Sequence, residues 1–117
     1  MGGPSEEKEV SIATGKAVIK ACAENGYVAT EFSFDTNYKK YLKELEKQNI
    51  IFNALHGGIG ENGKIQAWLD ENNIKYTGSG ALSSSLCMDK AASKEVAKRN
   101  GIETPDWQLI QRTSQEV

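Results

Sequence analysis

The run Ile50-Ile51-Phe52-Asn53-Ala54-Leu55-His56-Gly57-Gly58-Ile59-Gly60-Glu61-Asn62-Gly63 decides the fold. Ile50–Leu55 is the most apolar stretch of the chain. It opens on β-branched residues and is too short for a helix. It therefore reads as a strand buried on both faces, as in a parallel sheet. Four glycines in eight residues follow, and glycine lets a backbone approach a ligand closely. Beyond them the period changes: Ile65, Trp68 and Leu69 share one face of an expected helix over Lys64–Asn72.

The same alternation continues in both directions. Toward the N-terminus, Asn37–Lys47 reads as an amphipathic helix and Tyr27–Phe34 as a strand. Glu6–Glu24 reads as a helix that buries Val10, Ala13, Ala17 and Ala21 and stops at Asn25-Gly26. Toward the C-terminus come a short strand, Ile74–Thr77, the turn Gly78-Ser79-Gly80 and a short helix over Ala81–Leu86. Asp89–Asn100 is a helix with an acid at its start and Lys98-Arg99 at its end, which suits the helix dipole. Thr104-Pro105 breaks any continuation, Trp107–Ile110 reads as a last strand and Thr113–Val117 as a polar tail. Strands alternating with helices predict an α/β fold with a mostly parallel sheet, one domain over residues 1–117. Met1–Ser5 looks like a loop that should leave a strand, yet no strand precedes it, so the first strand is expected to be missing.

Composition narrows the chemistry. The chain has 117 residues, 38% hydrophobic, which argues against general disorder. Its net charge of −2 and the lack of a basic stripe give no nucleic-acid footprint. No apolar run approaches the roughly 18 residues that span a bilayer, and no leader signals secretion. Cys22 and Cys87 make no disulfide framework, so a reducing cytoplasm is the expected setting. A single histidine, His56, excludes any metal site that needs two.

Several motifs carry possible chemistry. Gly58–Gly63 spells G-x-G-x-x-G, but a dinucleotide site would want an acid at the end of the next strand, where Tyr76-Thr77 stands. A Rossmann-type nucleotide domain is thus one alternative; a tight turn around a buried, satisfied histidine is another. Glu6, Glu7 and Glu9 suit a helix N-terminus electrostatically, and a carboxylate there also suits a ligand's ammonium group. Gly78-Ser79-Gly80 offers backbone N–H groups to an anion. Lys90 opens a helix, where a positive charge is mildly unfavourable, which hints at a phosphate partner. Cys87 and Met88 read as packing residues.

Together these blocks resemble one family. Gly2-Gly3-Pro4-Ser5-Glu6-Glu7-Lys8-Glu9-Val10-Ser11 is similar to the G-G-x-S-x-E-x-E-V-S opening of the D-alanine–D-alanine ligases. Ala54-Leu55-His56-Gly57, Gly60-Glu61-Asn62-Gly63 and Gln66 resemble their A-L-H-G…G-E-D-G-x-x-Q block. Tyr76-Thr77-Gly78-Ser79-Gly80, then Met88-Asp89-Lys90 and Thr104-Pro105, continue in the same order. The resemblance implies the N-terminal domain that precedes the ATP-grasp lobes, a three-layer, Rossmann-like open parallel sheet. It implies a parent enzyme that joins two D-alanines for peptidoglycan synthesis with ATP and Mg²⁺, and a fragment inactive alone. By position, Glu7 would hold the first D-alanine's ammonium group, Val10 would line its methyl pocket and His56 would orient its carboxylate. Lys90 would meet ATP phosphates, and Gly57, Gly58, Gly60 and Glu61 would line the cleft. A homodimer contact through this lobe is also implied, so a standalone dimerisation module is the second alternative. Asn62 departs from the family's aspartate and removes a negative charge at a helix entry.

Overall fold

A computed structural model describes residues 1–110, so the expected polar tail lies outside the described residues. The helices occupy nearly the places the periodicity assigns them. They are α1 (Lys8–Glu24), α2 (Leu42–Leu45, entered through a 3₁₀ turn at Tyr38–Tyr41), α3 (Lys64–Glu71), α4 (Ala81–Met88) and α5 (Lys90–Arg99). Asp89 caps α5, its Oδ1 accepting from the Ala92 N–H at 3.0 Å, and Lys98 and Arg99 fill the last turn. Both ends thus offset the helix dipole as the sequence suggests.

The expected strands are reduced to two parallel pairings. Gly2 pairs with Phe34, through Gly3 N–H to the Phe34 carbonyl and Phe34 N–H to the Met1 carbonyl, each 2.8 Å. Ile51 pairs with Tyr76, through Ile51 N–H to the Lys75 carbonyl (2.8 Å) and Thr77 N–H to the Ile51 carbonyl (2.9 Å). No continuous strand forms among the described residues. Ile50–Leu55 is not buried on both faces: Ile50 and Phe52 are half-exposed, and Ala54 is its one fully buried member. Val28 is 99% exposed, so the start of Tyr27–Phe34 is uncovered, whereas Phe32 and Phe34 at its end pack against the core. Trp107–Ile110 has no regular structure. Met1–Gly3, where no strand was expected, takes the strand position beside Phe34.

The core lies between α2, α3 and the Ile51–Tyr76 pairing: Leu45, Ile65, Trp68, Leu69 and Ile74. Aromatic rings close it, with Tyr38 edge-on to Trp68 at 5.1 Å and stacked on Phe34 at 5.9 Å. At its rim Lys40 binds Asp35 at 3.0 Å and holds that carboxyl below its ordinary range. Helix α1 corrects the expected burial. Val10, Ala13, Ala17 and Ala21 face outward, and the buried positions are Ser11 and Gly15. Close approach explains the rotation: at Gly15 a side chain would run into Met1, and only glycine lets that side chain settle against the helix.

Candidate functional site

The segment 54–57 is laced to α1 by hydroxyl groups. Ser11, fully buried, accepts from the Gly2 N–H at 2.8 Å and donates to the Ala54 carbonyl at 2.6 Å. Ser5 Oγ donates to the His56 carbonyl at 2.5 Å and accepts from the Glu7 N–H at 3.2 Å. Thr14 Oγ1 lies 3.1 Å from His56 Nε2. The opening turn and the only imidazole are therefore fastened together, although Ser5 and His56 stand 51 positions apart.

Gly57 shows how close the approach is. It adopts φ 70° and ψ 165°, a conformation side chains rarely take. A Cβ there would sit 2.6 Å from Glu7 Oε2 and 3.3 Å from Ser5. The exposed Glu7 carboxylate thus lies over the residue next to His56, whose ring is half-buried. Val10, half-exposed, stands one turn along α1 from Glu7 on the same side of the helix.

The glycine loop beyond is closed on itself. Gly58–Gly60 is a 3₁₀ turn, in which the Gly60 N–H donates to the Gly57 carbonyl at 3.1 Å and the Asn62 N–H to the Gly58 carbonyl at 3.0 Å. Two side chains grip the Gly60 carbonyl, Asn53 Nδ2 at 3.0 Å and Gln66 Nε2 at 2.9 Å. Gln66 is buried, and its Oε1 has no partner among the described residues. A phosphate cradle needs free N–H groups, and this turn spends several of its own internally, which weighs against the dinucleotide reading. Asn62 Oδ1 accepts from the Lys64 N–H at 3.1 Å, so the departure from aspartate keeps the entry of α3 capped.

Gly60 and Glu61 face a groove of about 580 Å³ that Thr77, Gly78, Ser79 and Ser83 also line. Neither Glu7 nor His56 lines that groove. The loop thus stands between two surfaces, Glu7 over Gly57 on one side and Glu61 with Gly78 and Ser79 on the other. Gly58 is exposed at its crest. Lys90, exposed in the first turn of α5, makes no hydrogen bond or ion pair to either surface among the described residues. Cys87 and Met88 are exposed rather than packed, because α4 turns them toward the groove. Thr14 carried no signal in the sequence: nothing distinguishes it from any helical threonine until His56 is folded against it.

The profile described as "D-ala D-ala ligase N-terminus" matches residues 31–79. The D-alanine–D-alanine ligase of Pelotomaculum thermopropionicum is 43% identical over 96% of this chain. The crystal structure of the Bacillus anthracis ligase complexed with ATP superposes with a TM-score of 0.80 at 42% identity, over all of this chain. Sequence and fold both match the N-terminal domain of the D-alanine–D-alanine ligases. The ligase-type motifs at 54–66 and 76–80, with Glu7 from the opening block, contribute residues to the two surfaces just described. The ligase from Aquifex aeolicus agrees, at 44% identity over 94% of the chain. The chain spans 35% and 38% of the two curated ligases and 39% of the B. anthracis chain. The neighbours place it in the α/β class.

Proposed function

We propose that this domain supplies part of the first D-alanine site of an ATP-dependent ligase that makes the D-alanine dipeptide of peptidoglycan. One observation carries the reading: the Glu7 carboxylate lies over Gly57, the residue that follows His56 in the chain. An acid and an imidazole so placed suit the two ends of a small zwitterion. Glu7 holds the ammonium group, Val10 meets the methyl group and His56 faces the carboxylate. Gly57 and Gly58 border that surface, and Gly60 and Glu61 border the adjoining groove. Lys90, solvent-facing and free of an acidic partner among the described residues, suits an ATP phosphate, where positive charge stabilises what develops during phosphoryl transfer.

Among the described residues no three His, Cys, Asp or Glu gather to hold a metal ion. The Mg²⁺ of such a ligase would need ligands from elsewhere in the enzyme, and so would the second D-alanine. By itself the chain is an inactive substrate-binding piece. Its two parallel pairings are read as parts of a three-layer, Rossmann-like open sheet. Cytoplasmic location is the setting such an enzyme requires, and no helix of the described residues is long and apolar enough to cross a membrane. Homodimerisation is the second reading, supported by half-exposed to exposed Leu82, Leu86 and Met88 on α4 and Val96 on α5. Sedimentation at two concentrations tests it: a persistent monomer counts against it.

Titration of the chain with D-alanine tests the main reading. Glu7→Gln removes the charge and keeps the shape. Charge-assisted hydrogen bonds contribute about 1.5–3 kcal/mol, so binding should weaken at least about tenfold. Equal affinity for D-alanine in both proteins would overturn the assignment of Glu7.

A further inference from the structure

His56 is held from several directions at once. Its carbonyl takes the Ser5 hydroxyl at 2.5 Å, and two residues earlier the Ala54 carbonyl takes the Ser11 hydroxyl at 2.6 Å. The backbone on either side of the ring is thereby fixed along α1. The ring itself meets one side chain, Thr14, whose Oγ1 is 3.1 Å from Nε2. Among the described residues Nδ1 has no hydrogen-bond partner.

Among the described residues the hydroxyl has no competing acceptor, which leaves it free to donate to the ring. A threonine inside a helix ordinarily donates to a carbonyl three or four residues back. Thr14 makes no such bond; its one side-chain partner among the described residues is the imidazole. With the hydroxyl as donor, Nε2 is the ring's unprotonated nitrogen and the ring proton sits on Nδ1. Val10 and Thr14 lie on α1 three and seven residues beyond Glu7, the N-cap of that helix. The acid and the imidazole's anchor are therefore joined by two turns of one helix.

We propose that Thr14 is a positioning residue: its hydroxyl holds His56 as the Nδ1–H tautomer, so that Nδ1 offers a donor to the carboxylate of the amino acid whose ammonium group Glu7 holds. The ligand half of this rests on the D-alanine reading above. The tautomer half rests on the geometry alone.

The two halves are tested separately on the 117-residue chain. His56 is the only histidine, so nitrogen–proton correlation spectra of a ¹⁵N-labelled sample at mildly alkaline pH report its tautomer without ambiguity. Wild type and Thr14→Ser should both carry the proton on Nδ1. Thr14→Val keeps the branched shape and loses the hydroxyl, and its ring should move toward the Nε2–H form that free imidazole side chains prefer. Wild-type protein with the proton on Nε2 overturns the proposal without recourse to any variant. So does Thr14→Val with an unchanged tautomer and a dispersed amide spectrum. D-alanine should bind Thr14→Val about 3- to 10-fold more weakly than wild type, the worth of one ordinary hydrogen bond, with Thr14→Ser restoring it. Equal affinity in wild type and Thr14→Val overturns the positioning role. Wild type that holds the expected tautomer but binds no D-alanine supports the Thr14 bond and overturns the substrate reading instead.

Discussion

Ser11 shows how much one hydroxyl can decide. It is fully buried, yet it lies on a helix whose Val10, Ala13, Ala17 and Ala21 face outward. Its side chain joins the Gly2 N–H to the Ala54 carbonyl, linking the opening turn, α1 and the segment that leads into His56. Removing it strands a buried donor and a buried acceptor, and each such loss costs about 1–3 kcal/mol. Ser11→Ala should therefore destabilise the chain by about 2 kcal/mol or more, read as a lower urea midpoint with unchanged slope. His56 and Glu7 should lose their fixed spacing in the same variant, because the segment that carries His56 is then tied to α1 by Ser5 and Thr14 alone. Gln66 is the opposite case. Its amide N–H grips the Gly60 carbonyl at 2.9 Å, while its oxygen is buried without a partner among the described residues.

At the scale of elements, the junction between the glycine loop and α3 is the tightest. Gly63 sits just before α3 with φ 87°, in the left-handed region. A Cβ there would collide with the Ala81 carbonyl at the start of α4. Two penalties then combine: about 1–2 kcal/mol for the conformation and about 1–3 kcal/mol for the collision. Gly63→Ala should lower stability by about 2–5 kcal/mol, measured by thermal unfolding, and should disturb α4 more than α1. Glycine at this position is thus a packing requirement between two helices as well as a turn residue. The neighbouring Asn62 still offers a side-chain oxygen to the Lys64 N–H, as an aspartate there would.

The molecule as a whole is held by a small core on one side. Leu45, Ile65, Trp68, Leu69 and Ile74 lie between α2, α3 and the Ile51–Tyr76 pairing. Helix α1 shares little of it, and an apolar cavity of about 360 Å³ separates α1 from residues 27–34. Stability therefore concentrates in residues 34–76. Trp68→Ala removes the largest core side chain and its edge-on contact with Tyr38, a loss of about 3–5 kcal/mol. Against a domain margin of about 5–15 kcal/mol that is a large share, so Trp68→Ala should unfold at a clearly lower temperature than Ser11→Ala, read by circular dichroism. Survival of Trp68→Ala with an unchanged midpoint would show that the core lies elsewhere.

By itself the sequence determined where the helices run, because a 3.6-residue period needs only local residues to be seen. It also determined the Asp89 cap, the glycine turn before α3 and the ligase-type motifs, which are local as well. The extended segments were less legible. Tyr27–Phe34 and Ile50–Leu55 carry strand-like patterns, but pairing depends on what lies beside them, and only Phe34 and Ile51 find a partner. The inward face of α1 was misread for a related reason. Hydrophobicity favoured Val10, Ala13, Ala17 and Ala21, while the fold needed small and polar groups where backbones come close. Glu7 and His56 were visible as residue types. That they stand together, tied by Ser5 and Thr14 across more than forty positions of chain, was decided by tertiary structure alone, since hydrogen bonds between distant residues leave no period in a sequence.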